Sequence, residues 1–423
     1  MEREESENEN LVNHLELMLE NAGLPEESWA KEQCIYRVRR HKFRQQNEAA
    51  SIPRIVSIGP FHRGHKRLET MQELKLGYLK SFLEGSGLAL ECCISKLKEW
   101  ETNIRRCYAE NIQLSSDEFV MMILIDAGFI IEHFIRYYDL ETWAKRDPLF
   151  LKPWLAEDVL HDLILIENQI PFFVLKRIFK LASAEDDTGS LPSFLHITFK
   201  YFSRFNKQDL PPDGVKLQHF TDLLRTFCLP PSERLPKREI NRVNYLRTTS
   251  ELMEAGLVFE SSPNKCLLEL EFQKGVLRMP CFEVSDITEV LMGNIAAFEQ
   301  AHYPTETYIV DYLKFLGFMI NTEKDVDALV GKGIIAILFG DSNEVATMVS
   351  LLSSNHNQQY INSDYLHVYD HLNKFYENPL HKYKANLIRD YFSTPRKTTI
   401  SIAVVVLLLL IFVQSICSVL SVL

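Results

Sequence analysis

Nowhere in its 423 residues does the chain carry an Asn-x-Ser/Thr acceptor, a Cys-x-x-Cys pair or the Cys and His spacing of a zinc finger. Of its eight cysteines, Cys417 lies in an apolar tail, which leaves seven elsewhere. An odd number without paired spacing argues against a disulfide framework and fits a reducing, cytosolic compartment. Positive charge is scarce: 46 Lys and Arg stand against 57 Asp and Glu, a formal net charge of −11. This balance argues against nucleic-acid binding, which needs clustered cations to neutralise phosphate. The opening, MEREESENEN, is acidic and polar, so neither a secretory signal nor a basic transit sequence is expected. Catalytic signatures are missing as well. Gly331-Lys332-Gly333 lacks the GxxxxGK[ST] frame of a phosphate loop, no GxSxG occurs, and no cysteine has a recognisable nucleophile context.

What is present suffices for a folded protein. The chain is 46% hydrophobic and 11% aromatic, enough to bury a sizeable core. Charge vanishes only at the end. From Thr398 onward no residue is charged, and residues 400–423 read ISIAVVVLLLLIFVQSICSVLSVL. At about 1.5 Å per residue this run reaches roughly 36 Å, enough to cross a hydrocarbon core of about 30 Å with some tilt. We therefore expect a transmembrane tail over 398–423. Arg396 and Lys397 precede it, which places the N-terminal side in the cytosol, with a tail-anchored topology in the plasma membrane or an endomembrane. Lys382, Lys384, Arg389, Arg396 and Lys397 face Asp390 alone over 381–397. These cations suit an anionic leaflet, and they equally suit the C-terminal dipole of an ordinary helix.

The remainder divides by pattern. Residues 1–30 read as an acidic leader with one short helix. Residues 32–65 are punctuated by Pro53, Gly59, Pro60 and Gly64 and read as extended segments and turns. Helical spacing runs from Leu68 to about Lys180, with a central buried helix at 119–135 and another over 158–181 interrupted at Pro171. Two surface loops are expected, 184–192 and the proline-rich 206–239, the latter around one short helix. Three short strands, 256–260, 266–272 and 275–280, follow, and helices resume at about Ser285. The expected fold is mainly α with a small antiparallel β element: one large helical domain over 31–395 and a C-terminal transmembrane helix.

Several collinear segments carry a family resemblance: IYRV (35–38), NEAASIPRIVSIGPFHRGH (47–65), MQELKLGYLKSFL (71–83), DEFVMMILIDAGFIIEHF (117–134), DLILIENQIPFFVL (162–175), SELMEAGLVF (250–259), NIAAFEQ (294–300) and the apolar tail. Together they resemble the plant family catalogued as domain of unknown function 247, over about residues 34–420. The sequence departs from the family's pattern in the first motif. Arg39 stands where Pro is usual, the following segment is one residue longer, and Ser51 replaces an aromatic. The resemblance implies a plant source, a C-terminal membrane span and no established enzyme activity. In some grass members it implies a part in pollen–stigma self-incompatibility, hence recognition or signalling.

The candidate polar cluster comprises Asp126, His133, Asp162, Glu167, Asn168 and Gln169. Asp126 and His133 are seven apart on one helix, hence on one face, with Glu118 and Glu132 close by. Carboxylates converging in an apolar setting could hold a hard cation or share a proton. They could equally form a closed network in which every charge is paired. Pro171 cannot donate to the carbonyl of Glu167, so side chains are expected to hold a kink there. His62 and His65 have a metal-like spacing with no third ligand nearby. The sequence therefore assigns no catalytic residue, metal or cofactor. Two classes stay open: a membrane-tethered interaction or recognition protein, or a membrane-bound enzyme using the Asp126/His133/Glu167 region. Expected partners are the lipid bilayer and an unidentified protein, and a homo-oligomer is compatible with both classes. One span cannot enclose a transport pathway unless it oligomerises.

Overall fold

The computed structural model describes residues 12, 15–16, 32–38, 52–185, 191–240, 246–354, 360–391 and 394–420. Most of the acidic leader, the segment 39–51 that carries the departures from the family pattern, and the tip of the loop 184–192 lie outside the described residues. The chain forms two compact units, Met1–Thr226 with Gln300–His302, and Phe227–Glu299 with Tyr303–Leu423.

The first unit is helical. Among the described residues its longer helices are α1 (Gln72–Ser86), α2 (Leu90–Arg106), α3 (Ser116–Tyr138), α4 (Pro153–Ile164), α5 (Phe172–Glu185), α6 (Phe194–Tyr201) and α7 (Phe220–Cys228, which runs past the unit's end). The central helix expected at 119–135 is α3, extended at both ends. It starts at a capping box, where Ser115 Oγ accepts from the Glu118 N–H and the Glu118 carboxylate accepts from the Ser115 N–H. Glu118 is thereby used as a cap and takes no part in the buried cluster. Gly128 lets α1 approach closely, because a Cβ there would lie 2.4 Å from Leu79 Cδ1. Beyond it, Phe134 stacks on Tyr201 at 4.1 Å between ring centroids and meets Phe194 and Phe220 at 5.9 and 5.3 Å. This aromatic core accounts for the Phe172 of the Pro-Phe-Phe triplet, which is buried against Phe194.

The interruption expected at Pro171 is a seven-residue linker, 165–171, rather than a kink in one helix. Its side chains replace the missing turn. Gln169 Nε2 donates to the carbonyls of Leu163 (2.6 Å) and Leu165 (2.9 Å), and Asn168 Nδ2 donates to the carbonyl of Asp162 (3.0 Å). The Asp162 and Leu163 carbonyls belong to the last turn of α4 and lack intrahelical partners, and Leu165 is the residue that follows it.

The second unit holds the strands β1 (Arg238–Ile240), β2 (Val258–Ser262), β3 (Glu271–Gln273), β4 (Val276–Pro280), β5 (Phe282–Val284), β6 (Ile335–Ile337) and β7 (Tyr360–Asn362). Its helices are α8 (Thr249–Glu254), α9 (Thr288–His302, whose last three residues belong to the first unit), α10 (Tyr308–Met319), α11 (Glu323–Val330), α12 (Ser342–Ser353), α13 (Ser363–Glu377), α14 (Pro379–Tyr391) and α15 (Pro395–Leu420). The β content is small and mixed. Among the described residues there are three small sheets: β2-β4-β3, with β3 antiparallel to β4 and β2 parallel to it, an antiparallel pair β1-β7 and a parallel pair β5-β6. Lys274 and Gly275, with φ of 50° and 80°, supply the two left-handed residues of a tight β3–β4 hairpin. The strand expected over 266–272 shrinks to β3, because Asn264 Oδ1 takes the Cys266 N–H (3.0 Å) and the Glu269 N–H bonds to the Cys266 carbonyl. A local turn thus captures the alternating stretch. Asp311 of α10 accepts from the Arg238 guanidinium and from the Asn362 N–H (2.8 Å), which ties it to the paired strands β1 and β7.

At the C-terminus, Pro395–Cys417 is long and apolar enough to cross a membrane, with a mean hydropathy of 2.9 and no part of that window buried.

Candidate functional site

The extended segments 34–38 and 52–59 supply backbone N–H groups that no helix or strand satisfies, and buried side chains accept them. Asp162 of α4 takes three in succession, from Arg54 (2.6 Å), Ile55 (2.8 Å) and Val56 (2.8 Å). Asn168 Oδ1 accepts the Ile58 N–H (2.8 Å), while its amide donates to the Val56 carbonyl (3.0 Å). Asp126 of α3 accepts the Gly59 N–H (2.7 Å) and pairs with Lys75 of α1. Lys75 Nζ donates in turn to the Ser57 carbonyl (2.8 Å). Glu167 accepts the Val38 N–H (2.8 Å) and lies 3.5 Å from His62 Nε2. Gln169 Oε1 accepts the Phe220 N–H (3.1 Å), and its carbonyl accepts from Tyr108 Oη (3.1 Å). Gly59, at φ +71°, must be glycine: a Cβ would stand 2.5 Å from the Gln169 carbonyl oxygen.

Four of the six expected residues, Asp126, Asp162, Glu167 and Asn168, therefore grip the extended segments 34–38 and 52–59, and Gln169 sets its backbone carbonyl beside Gly59. Each is at most 1% exposed. The sixth, His133, does not join them. Its Nε2 meets Tyr201 Oη at 3.1 Å, and its ring stacks between Phe129 and Phe150. Burial among these rings pushes its pKa down to about 4, so it is neutral at pH 7. Burial also pushes the Asp126 carboxyl above the usual carboxylate range, opposed by the Lys75 ammonium and by the Gly59 N–H.

Sequence reasoning missed a second polar group next to this one. Arg136 bridges Glu132 (2.8 Å) and Asp147 (2.9 Å), and Tyr78 Oη donates to Asp147 (2.6 Å). Burial would raise the Asp147 pKa, yet the Tyr78 and Arg136 hydrogen bonds outweigh it and hold the group below its ordinary value. The i,i+4 spacing of Glu132 and Arg136 was a readable signal; Asp147, in an irregular stretch, left none.

A cavity of about 260 Å³ borders the network, lined by Arg63, Glu69, Gln72, Lys75, Met122 and Asp126 among others. Of the expected residues only Asp126 reaches it. His62 and His65 lie 6.2 Å apart between ring centroids, and among the described residues no three potential metal-ligating side chains converge.

The model of the plant family DUF247, a plant protein of unknown function, matches residues 35–410. The chain belongs to this family. Among curated proteins, this DUF247 chain is similar to a UPF0481 protein of Arabidopsis thaliana, 27% identical over 96% of this chain and 89% of the relative. A putative UPF0481 protein of the same plant is 28% identical over 45% of this chain and 37% of its own length. No solved structure matches the DUF247 chain. The matched span includes nearly all of the clamped segments, most of both units and much of the apolar tail helix.

Proposed function

We propose that the chain is a membrane-anchored interaction or recognition protein whose water-facing part lies in the cytosol. The carrying observation is the contrast between the two ends of its chemistry. The buried carboxylates already serve backbone N–H groups and an internal lysine, which suits a frame more than turnover. The unburied apolar helix Pro395–Cys417, preceded on its N-terminal side by Lys382, Lys384 and Arg389 and opened by Arg396 and Lys397, suits an anchor. The contact surface we favour is the part of the segment 206–239 that precedes α7, whose side chains are buried in the core. Its part from 206 to 218 holds no buried side chain and makes tight turns at Asp209 and Gly214. The acidic balance of the chain favours a partner with a basic patch. The test is a loop exchange: residues 206–218 are replaced by those of a related protein, and native partners are compared by proximity labelling in plant tissue. Loss of specific partners from a correctly folded, membrane-inserted chain supports the reading; an unchanged partner set removes the loop from it.

One observation favours the enzyme alternative. Lys75 and Asp126 line the cavity, and a pocket with convergent charged groups is a place where a small molecule can bind. If Asp126→Asn abolishes a measurable turnover while melting normally, the enzyme reading displaces the first.

A further inference from the structure

The helix α14 carries an uncovered apolar stripe immediately before the tail helix. Leu380, Tyr383, Leu387 and Tyr391 are 71, 69, 38 and 58% exposed. Their steps of three, four and four residues, at about 100° each, confine them to a stripe about 80° wide. The opposite side of the same helix is the one that packs. A Cβ at Gly256 would touch Ala385 Cβ at 3.0 Å, and Ala385 sits about 160° round the helix from the centre of the stripe. The His381 ring stacks on Phe375 at 4.0 Å and its Nδ1 bonds to the Phe375 carbonyl (3.0 Å), which holds the helix start against α13.

We infer that α14 lies in the membrane interface, with this stripe sunk into an anionic leaflet. The inference rests on the reading that Pro395–Cys417 crosses the bilayer, and two features select lipid as the occupant. One is continuity: three residues separate the stripe's last member, Tyr391, from Pro395, and Ser401 Oγ donates back to the Tyr391 carbonyl (2.9 Å), so the stripe ends where the span begins. The other is charge. Lys382, Lys384, Arg389, Arg396 and Lys397 stand against Asp390 alone, although the whole chain is acidic. Lys384 borders the stripe, and Arg396 and Lys397 open the spanning helix, positions from which cations reach lipid headgroups. A narrow apolar face bearing two tyrosines beside lysine is the composition of an interfacial helix. Such a helix fixes the orientation of the unit that carries it, which a single span and a flexible linker would leave free.

The test uses the full chain reconstituted into vesicles of phosphatidylcholine alone or of phosphatidylcholine with phosphatidylserine. Hydroxyl-radical footprinting reads Tyr383 and Tyr391, and alkaline carbonate extraction reads the span. We expect both tyrosines to be labelled several-fold more slowly in the anionic vesicles, and Leu387→Asp or Lys384→Glu to restore fast labelling while the span stays carbonate-resistant. Fast labelling in both lipids with a resistant span overturns this inference and leaves the anchor intact. Equal protection in both lipids overturns the preference for anionic lipid. Protection that rises with the protein-to-lipid ratio assigns the stripe to a second copy and overturns the lipid occupant. Release of the chain by carbonate overturns the anchor and this inference together.

Discussion

Lys75 and Asp126 form an ion pair with side chains only 3% and 1% exposed, one on α1 and one on α3. Each also holds the segment between them and α4: Asp126 through the Gly59 N–H, Lys75 through the Ser57 carbonyl. Removing one partner leaves a buried charge uncompensated. Lys75→Met or Asp126→Leu should therefore each destabilise the protein by about 3–5 kcal/mol. The double replacement, which leaves no lone charge, should cost less than the two singles combined. Urea unfolding of the four proteins closes the cycle; strict additivity would show that the pair is not coupled.

Asp162 offers a sharper test because its work is done on backbone. Asp162→Ala leaves the N–H groups of Arg54, Ile55 and Val56 without their acceptor inside the fold. Hydrogen bonds to a charged acceptor contribute about 1.5–3 kcal/mol each, so the loss should exceed 3 kcal/mol. Hydrogen exchange should show the amides of 54–56 losing protection first. Protection unchanged at those three positions would contradict the clamp.

Two buried groups should give opposite pH dependences. His133, lowered from 6.5 to about 4, is held neutral in the fold, so its contribution is present above pH 6.5 and lost as pH falls towards 4. Asp311, raised from 3.8 to about 6 by burial that outweighs Arg238, contributes below pH 3.8 and loses that contribution as pH rises through 6. Denaturant midpoints measured across this window, as wild type minus His133→Phe and wild type minus Asp311→Asn, should slope in opposite directions. Parallel slopes would refute the assignment of one of them.

A stop codon in place of Thr398 should yield a chain that no longer sediments with membranes after carbonate treatment but keeps the cooperative unfolding of its water-facing part. The intact chain should resist extraction. A glycosylation acceptor placed in the loop 184–192 of the intact chain should stay unmodified; efficient modification would reverse the orientation.

How much of this was legible without the fold depends on the range of the physics involved. Helix α3, the apolar tail and the small β element are written in local periodicity and composition, which act over a few residues. The importance of Asp126, Asp162, Glu167, Asn168 and Gln169 was visible because polar groups inside apolar runs cost free energy unless they are satisfied. The purpose of the first four was not, since their partners at 38, 54–56 and 58–59 lie roughly seventy to well over a hundred residues away. His133 illustrates the limit: helical spacing put it on the face of Asp126, but seven residues are two turns, and two turns move a side chain about 10 Å along the axis into a different neighbourhood. The strand expected at 266–272 failed for the converse reason, a single Asn264 side chain outcompeting an alternating pattern. Sequence alone determined that α3 is buried with its polar groups and that residues 398–423 form a membrane-length apolar run. Only the tertiary structure decided that the buried carboxylates grip backbone, because hydrogen-bond partners are chosen by distance in space and not along the chain.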